Sequence, residues 1–249
     1  MIKEKNIEGT KKNISSIGLI GRGILIILIV FFVYSLILIP PVFLFFYVIR
    51  FFDFSNFLYI FFFCFFLVFE LLFFIICQTL IPGFFLKIFR FKVKEGEFDI
   101  NMRKKNNDLL KIVIRPFFYL IPLTLLNVFK LIHFRVFLHR CAGAKIGKNC
   151  FIPDTSILYE PCLIEIGDNT IIGADCKISA HVIEKNKMII SKVKIGNNCL
   201  IGGETIVLPG AIIEDNVTIG VKSLVTKNQV LEKGKTYVGV PAKELKKNR

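Results

Sequence analysis

His181 is the residue of this 249-residue chain that is best placed for acid–base chemistry. It is the only histidine in the regular repeat of the C-terminal part, and it stands just before residues 184–194 interrupt that repeat. Imidazole titrates near neutral pH, so it can take the proton from an attacking hydroxyl or amine. Loops that leave a rigid scaffold often carry binding and catalytic residues. The position of His181 therefore predicts a general base.

A second interpretation of His181 is a turn residue or loop anchor. The corresponding position of other repeats holds asparagine, at Asn149, Asn169, Asn198, Asn216 and Asn228. Histidine, like asparagine, is enriched at positive φ. Two carboxylates near a slip in the repeat, Glu160 and Glu165, are candidates to orient the imidazole.

A six-residue period sets the elements that must position these side chains. Aliphatic residues return at every sixth position in three runs: Ile146, Ile152 and Leu158; Ile166, Ile172 and Ile178; Ile195, Ile201, Val207, Ile213, Ile219 and Val225. A fixed short period is typical of a solenoid. With three short strands per turn, these twelve repeats predict a parallel β-helix of about four coils.

Cysteine recurs at the small interior position of the repeat, at Cys150, Cys162, Cys176 and Cys199. A cysteine at such a position acts as a compact hydrophobe, so we predict neither a disulfide framework nor a metal site. A reduced, cytosol-facing domain is the expected setting.

The period, the small corner residues and the ending VGVPAK make residues 144–249 similar to the hexapeptide-repeat acyltransferases. The resemblance implies a left-handed coil, a homotrimer, acyl-CoA bound between subunits and one catalytic histidine beside a loop. The left hand comes from the resemblance alone, because physical rules favour right-handed crossovers. In the sugar acetyltransferases the histidine stands five residues after the aliphatic, whereas His181 stands three after Ile178.

Resemblance to the galactoside and maltose acetyltransferases implies where acetyl-CoA, or another acyl-CoA, would bind as cosubstrate. The residues that contact acetyl-CoA in those enzymes correspond, by this resemblance, to Gly203, Val221, Thr226, Lys227, Lys243 and Lys246. A glycine N–H lets the thioester approach closely and can help hold an oxyanion, and lysines can meet phosphates. Two of the lysines replace arginines, which removes bidentate contacts. The alternative is that they are surface lysines of a basic chain that need no partner.

Two apolar runs dominate the N-terminal part. Residues 24–49 carry no charge, and residues 54–86 carry only Glu70. Each run is long enough to cross a hydrocarbon core of about 30 Å, so we predict a transmembrane helical hairpin, with a kink at Pro40-Pro41. A cleavable signal peptide would need a shorter apolar region. Glu70 would contact an acceptor headgroup or proton path, or be protonated and bonded within the trimer.

Basic residues place both ends of this hairpin in the cytoplasm. They flank the spans at Lys3, Lys5, Lys11, Lys12 and Arg22 and at Lys87, Arg90, Lys92, Lys94, Arg103, Lys104 and Lys105, whereas the link has only Arg50 against Asp53. Because the formal net charge of +14 accompanies 28 phenylalanines, it favours an anionic membrane surface and cofactor over nucleic acid. A multi-pass membrane protein with a cytoplasmic β-helix is predicted.

The order of segments gives a second resemblance. The apolar spans come first, and a basic linker follows them. These are followed by RCAGAKIG at residues 140–147, by YEPCLIEIGDN at 159–169 and then by a histidine before a loop. This order resembles the C-terminal region of poly-lysine synthetase-like nonribosomal peptide synthetases. It implies that the apolar half belongs with the enzyme.

Four segments are predicted: a membrane region at 1–86, a basic linker and interfacial helix at 87–143, the β-helix at 144–230 and a tail at 231–249. We expect residues 87–115 at the membrane surface. Residues 116–129 are apolar but short for a span, and a basic stretch with Lys130, His133, Arg135, His139 and Arg140 follows. An interfacial helix is therefore predicted, with a third span over residues 116–138 as the alternative.

These features predict a membrane-anchored acyltransferase, by resemblance an acetyltransferase, that acts on a hydroxyl or amine at the cytoplasmic face. A lipid-linked or cell-envelope acceptor would suit the membrane attachment. The alternative is a non-catalytic scaffold in which the coils assemble a trimer and present a partner-binding face. His181 and the loop after it distinguish the two, because a scaffold would not require them.

Overall fold

The computed structural model describes residues 2–89, 93–99, 107–153 and 155–246. The chain divides into two compact units between Gln78 and Thr79. The N-terminal unit is helical, and the C-terminal unit contains three parallel β-ladders.

Two long helices form the N-terminal part. Helix α1 covers Ile2–Val48, a 3₁₀ turn covers Ile49–Phe51, and helix α2 covers Phe57–Phe89. Asn56 ends the connection and caps α2, because its Oδ1 accepts a hydrogen bond from the Leu58 N–H at 2.9 Å. Phe63 of α2 packs against Phe45 of α1, with ring centroids 6.4 Å apart. Aromatic contacts therefore hold the two helices together.

Both helices are long and apolar enough to cross a membrane, over Ile27–Phe51 and Phe57–Ile88. Only 11% and 17% of these stretches are buried by the rest of the protein. The prediction of two apolar N-terminal helices is confirmed. Helix α1 continues through Pro40 and Pro41. Neither carboxylate oxygen of Glu70 has a hydrogen-bond partner within the described chain.

Much of the charge used to predict orientation falls outside the described residues. This applies to the side chains of Lys3, Lys5, Lys11, Lys12 and Arg22 and to residues Arg90, Lys92, Arg103, Lys104 and Lys105. The orientation stays a prediction.

The described part of the linker contains one strand and two helices. These are strand β1 (Gly96–Asp99), helix α3 (Asn107–Val128) and helix α4 (Ile132–Cys141). The apolar stretch of α3, Ile114–Val128, is shorter than a span. One side of α3 is buried, including Phe118, Leu123 and Leu126, and α3 packs against α4. The helix therefore contributes to a protein core.

The repeat forms short strands that alternate among three ladders. Their bounds are β2 Lys145–Ile146, β3 Ile157–Tyr159, β4 Ile164–Ile166, β5 Ile171–Ile172, β6 Lys177–Ser179, β7 His181–Glu184, β8 Lys187–Ile190, β9 Val193–Ile195, β10 Leu200–Ile201, β11 Ile206–Val207, β12 Ile212–Ile213, β13 Thr218–Ile219, β14 Leu224–Val225, β15 Val230–Leu231, β16 Thr236–Val238 and β17 Lys243–Glu244. The ladders run β17-β16-β13-β10-β5, β14-β11-β6-β3 and β15-β12-β9-β4-β2. All their pairings are parallel except β16 with β17. The predicted repeat domain with parallel sheets is confirmed.

The six-residue period marks the core of this domain. All twelve aliphatic residues of the period are buried. The residue before each points outward, as period-two alternation requires, so Ile201 is 0% exposed while Leu200 is 45% exposed. The ladders continue beyond residue 230, because Thr236 and Tyr237 pair with Thr218 and Ile219.

Glycine permits close contact between successive turns of the repeat. At Gly202 an added Cβ would lie 2.5 Å from the backbone nitrogen of Val221. Such an approach leaves no room for a side chain, which explains the glycine at this corner.

Removing a core side chain tests this assignment. Ile195→Ala should lower the free energy of unfolding by about 2–5 kcal/mol, because Ile195 is buried and pairs with Ile166 and Ile213. Lys194→Ala, at the neighbouring exposed position, is the matched control and should change it by roughly 0.5 kcal/mol or less. Urea unfolding of the detergent-purified chain measures both. Equal losses would contradict the inward assignment of the period.

Candidate active site

The interruption of the repeat is a β-hairpin. Strands β7 and β8 pair antiparallel across a two-residue turn at Lys185 and Asn186, and β1 from the linker adds a third strand beside β8. The predicted insertion began at residue 184, but the hairpin begins at His181 itself. His181 lies at its base, opposite the buried Ile190. The hairpin therefore fixes the backbone of His181 against the core.

His181 does not share the backbone conformation of the asparagines at the same repeat position. Asn149, Asn169, Asn198, Asn216 and Asn228 all have φ between 53° and 58°, whereas His181 is a strand residue outside the positive-φ set of the described chain. The interpretation of His181 as a turn residue is therefore wrong. The sequence signal misled because the same repeat position serves a hairpin here.

The imidazole of His181 pairs with the carboxylate of Glu160. Nδ1 of His181 lies 2.6 Å from Oε2 of Glu160, and the two side chains are 27% and 9% exposed. An ionised carboxylate can only accept, so Nδ1 carries the proton. The lone pair of Nε2 then points away from the carboxylate, and within the described residues this atom has no hydrogen-bond partner. The geometry leaves Nε2 free to accept a proton.

Glu160 is held by the turn that follows strand β3. Tyr159 pairs with Ser179, so Glu160 and His181 leave neighbouring strands side by side. Glu160 has φ 52° and ψ 61°, and its carbonyl accepts a bond from the Leu163 N–H at 2.9 Å. This left-handed conformation costs a non-glycine residue about 1–2 kcal/mol.

The hydrogen bond from Glu160 raises the pKa of His181 above its usual value, while partial burial opposes the rise. The ring of Tyr159 stands edge-on to His181 with centroids 6.1 Å apart, and Ser179 Oγ donates to the His181 carbonyl at 2.7 Å. These contacts restrict the orientation of the imidazole.

A buried polar cluster on α3 and α4 lies behind Glu160. Tyr119 OH lies 2.6 Å from Nδ1 of His139, within hydrogen-bond distance, and both side chains are buried. Burial, together with the charge of Arg135, lowers the pKa of His139 to about 3, so this imidazole stays neutral. Burial raises the pKa of Tyr119. His139 is therefore a neutral partner of the Tyr119 hydroxyl within the core.

Arg115 connects this cluster to the turn that contains Glu160. Its guanidinium donates to Cys162 Sγ at 2.9 Å and to the Ala142 carbonyl. Arg115, Tyr119 and Glu160 together line a cavity of about 30 Å³, the share of one water molecule. Helix α3 thus forms one wall of a small space next to Glu160.

The sequence analysis did not find this cluster, although the chain contained a signal for it. Arg115 and Tyr119 are four residues apart in α3, and Arg135 and His139 are four residues apart in α4. Residues at this spacing share one helix face. Two such polar pairs predict a buried contact between α3 and α4.

Glu165, the other carboxylate suggested for His181, has different partners. Its Oε1 lies 2.7 Å from Nζ of Lys145 and 3.5 Å from Nζ of Lys192. The hydrogen bond from Lys145 lowers the pKa of Glu165. Glu160 alone of the two contacts the imidazole.

The residues predicted for acyl-CoA fall at two places in the repeat. The Gly203 carbonyl accepts the Lys222 N–H at 2.9 Å, which places Gly203 beside the exposed Val221. Thr226 bonds through Oγ1 to Gln229, whose amide donates to the carbonyl of Ala242, just before Lys243. Lys243 lies on β17, and Lys243 and Lys246 are both exposed.

Lys227 joins the repeat to the hairpin that carries His181. Its Nζ lies 2.7 Å from Oε1 and 2.8 Å from Oε2 of Glu184. The charge of the Lys227 ammonium is therefore paired with Glu184 of the same chain.

Strands that recur every six residues in three parallel ladders define a hexapeptide-repeat protein. The family model "Bacterial transferase hexapeptide (six repeats)" matches residues 192–227. The putative colanic acid biosynthesis acetyltransferase WcaF of Escherichia coli (strain K12) is 30% identical over 123 residues, covering 39% of this chain and 67% of that protein. The chain belongs to the hexapeptide-repeat transferases.

Two further relatives also match part of the chain. Delta-poly-L-ornithine synthetase of Acinetobacter baumannii (strain AB307-0294) is 32% identical over 103 residues, 41% of this chain and 8% of that protein. Galactoside O-acetyltransferase of Escherichia coli (strain K12) is 31% identical over 108 residues, 41% of this chain and 52% of that protein. The chain thus spans about half of the second relative and a small part of the first. Both predicted resemblances are confirmed.

Proposed function

We propose that this protein is a membrane-anchored acyltransferase that moves an acyl group from acetyl-CoA, or another acyl-CoA, to a hydroxyl or amine acceptor. The contact of 2.6 Å between Nδ1 of His181 and Oε2 of Glu160 carries the proposal. It gives a transferase scaffold an oriented imidazole with an available Nε2. A scaffold without chemistry would not need this pair.

The proposed mechanism has His181 as general base. Nε2 takes the proton of the acceptor hydroxyl or amine while its oxygen or nitrogen attacks the thioester carbon. Glu160 stabilises the imidazolium that forms. The carbon–sulfur bond of the tetrahedral intermediate then breaks, and Nε2 returns the proton to the leaving sulfur of CoA. No other group is consumed, and the dyad returns to its starting state.

The proposed donor site combines Gly203, Val221, Thr226, Lys227, Lys243 and Lys246. Two sets of contacts support this donor site. Gly203 lies beside Val221, and Thr226 is connected through Gln229 to Ala242, the residue before Lys243. The pairing of Lys227 with Glu184 supports a role in holding the hairpin as well.

Lys243→Gln/Lys246→Gln should raise the Michaelis constant for acyl-CoA about tenfold, because each ammonium would bond to an anionic phosphate of the donor. The turnover number should change little. Steady-state kinetics with acetyl-CoA measures both constants. Lys177→Gln/Lys233→Gln removes two exposed charges elsewhere and serves as the control. An unchanged Michaelis constant would favour surface lysines without a partner.

We further infer a left-handed helix of about four coils that assembles as a homotrimer. The segments stay those predicted, at 1–86, 87–143, 144–230 and 231–249, and the last segment adds β16 and β17 to a ladder. An exposed apolar stripe on one face supports association, since Phe151, Ile171 and Leu200 follow one another across the ladder. The length of the two apolar helices supports attachment to the cell membrane. The basic residues that flank them in the sequence favour a repeat domain in the cytoplasm. Attachment favours a lipid-linked or cell-envelope acceptor.

The proposal is tested with acyl-CoA binding and slow thioester hydrolysis by the detergent-purified chain. Binding together with CoA release is the expected result. A chain that neither binds nor cleaves acyl-CoA would support a non-catalytic scaffold.

A further inference from the structure

A cavity of about 590 Å³ lies where the last turn of α2 meets α4 and the start of the repeat. We call it the basic cavity because its lining includes five cationic side chains, Lys87, Lys94, Arg140, Lys145 and Lys192. Two carboxylates, Glu95 and Glu165, line it as well. The lining therefore has a formal excess of three positive charges.

Both carboxylates of the basic cavity are already engaged. Glu165 pairs with Lys145 at 2.7 Å and with Lys192 at 3.5 Å. Glu95 accepts a hydrogen bond from the Lys192 backbone N–H at 2.9 Å. No ion pair is found for Lys87 or Lys94 among the described residues. The unbalanced charge therefore belongs mainly to these two ammonium groups and to the Arg140 guanidinium.

Arg140 is fixed with its charge at this cavity. Its guanidinium donates to the carbonyls of Ile146 and Gly147, at 3.0 and 2.8 Å from one nitrogen. These carbonyls hold the guanidinium without neutralising it. The charge of Lys87 also reaches the cavity wall, because it partly offsets the rise that burial gives to the pKa of Cys141.

The rest of the lining is apolar. Leu86, Val93, Cys141 and Leu163 contribute buried side chains. In the last turns of α2, which contribute Leu86 and Lys87 to the lining, Phe84 and Ile88 are exposed. A ligand that fits this combination has an anionic group for the lysines and an apolar part for the side chains beside them.

We infer that the basic cavity binds the phosphate of a membrane phospholipid, whose acyl chains lie against the exposed apolar side chains at the end of α2. Lys87 follows directly on an apolar stretch of membrane-spanning length, so the cavity opens where lipid headgroups would lie. Basic residues at the end of a span attract anionic lipid. The inference rests on the membrane attachment in the proposed function and is independent of the acyl transfer.

The test uses the detergent-purified full chain and phosphatidic acid labelled on one acyl chain with a fluorescent nitrobenzoxadiazole group. Fluorescence anisotropy should show saturable binding that weakens as sodium chloride is raised. Labelled phosphatidylcholine, which has no net charge, should bind much more weakly. Inorganic phosphate at equal concentration should not displace the lipid, and full displacement by it would overturn the choice of a lipid ligand.

Lys87→Gln/Lys94→Gln should weaken phosphatidic acid binding roughly 30-fold, because two of the unpaired charges are lost. Lys177→Gln/Lys233→Gln has the same change in net charge at exposed positions outside the cavity and should bind like the wild type. Equal affinity of both double variants, or equal binding of phosphatidylcholine by the wild type, would overturn the inference.

The outcome separates this inference from the proposed function. His181→Ala should bind phosphatidic acid like the wild type, because the assay contains no acyl-CoA. If the chain resists carbonate extraction from membranes but does not bind phosphatidic acid, only the lipid site is refuted. A chain that binds phosphatidic acid but is released by carbonate would support the site and refute the attachment.

Discussion

His181→Ala should lower acyl transfer by about 10²–10⁴-fold while acyl-CoA remains bound. The reason is that alanine removes the only proton acceptor of the described dyad, whereas the residues proposed for the donor lie elsewhere on the repeat. Turnover is measured as the amount of CoA released, which is quantified by chromatography so that the chain's own cysteines do not interfere. Titration calorimetry with acetyl-CoA measures binding.

Lys185→Asn is the control for the His181 variant. It changes the exposed turn of the same hairpin, and asparagine suits its φ of 53°. This variant should keep wild-type turnover. Wild-type turnover by His181→Ala would remove the general-base role. Loss of both turnover and donor binding in that variant would instead indicate that His181 only holds the hairpin in place.

Glu160→Gln should lower turnover by about 10²-fold, with little change in acyl-CoA binding. Glutamine keeps the size of the side chain but removes the negative charge that opposes the imidazolium. Its amide can also donate to Nδ1, which would favour the tautomer with the proton on Nε2 and so block the base. The effect is smaller than that of losing the imidazole.

The pH dependence gives Glu160→Gln a signature that a purely structural role would not produce. A general base works only when deprotonated, so activity should rise with pH through the pKa of His181. Glu160 raises this pKa, and partial burial opposes the rise. Without the carboxylate the pKa falls, so the acid limb of the rate profile should move to lower pH while the plateau drops.

Initial rates between pH 5 and 9 at saturating acyl-CoA measure this shift. Glu165→Gln is the matched control, because Glu165 pairs with Lys145 and Lys192 rather than with the imidazole. Its acid limb should stay in place. An unmoved limb in Glu160→Gln would show that Glu160 does not set the pKa of the catalytic base.

The local sequence pattern predicted the repeat scaffold, because this scaffold depends on residue properties that are present within each single repeat. An aliphatic residue every sixth position must face inward in each short strand, and the ladders bury all of them. Apolar runs of span length likewise predict apolar helices without reference to the rest of the chain. The repeat also located the interruption after Ile178, since a missing period is visible in sequence alone.

The sequence by itself determined the repeat, its core, the two apolar helices and His181 as a candidate base. Only the tertiary structure decided that Glu160, rather than Glu165, contacts this imidazole, that β1 joins the hairpin, and that Arg115 and Tyr119 lie behind Glu160. The physical reason is that periodicity encodes which side chains are buried within each repeat. Which carboxylate reaches a given imidazole depends on the register between neighbouring turns and on side-chain direction at their corners.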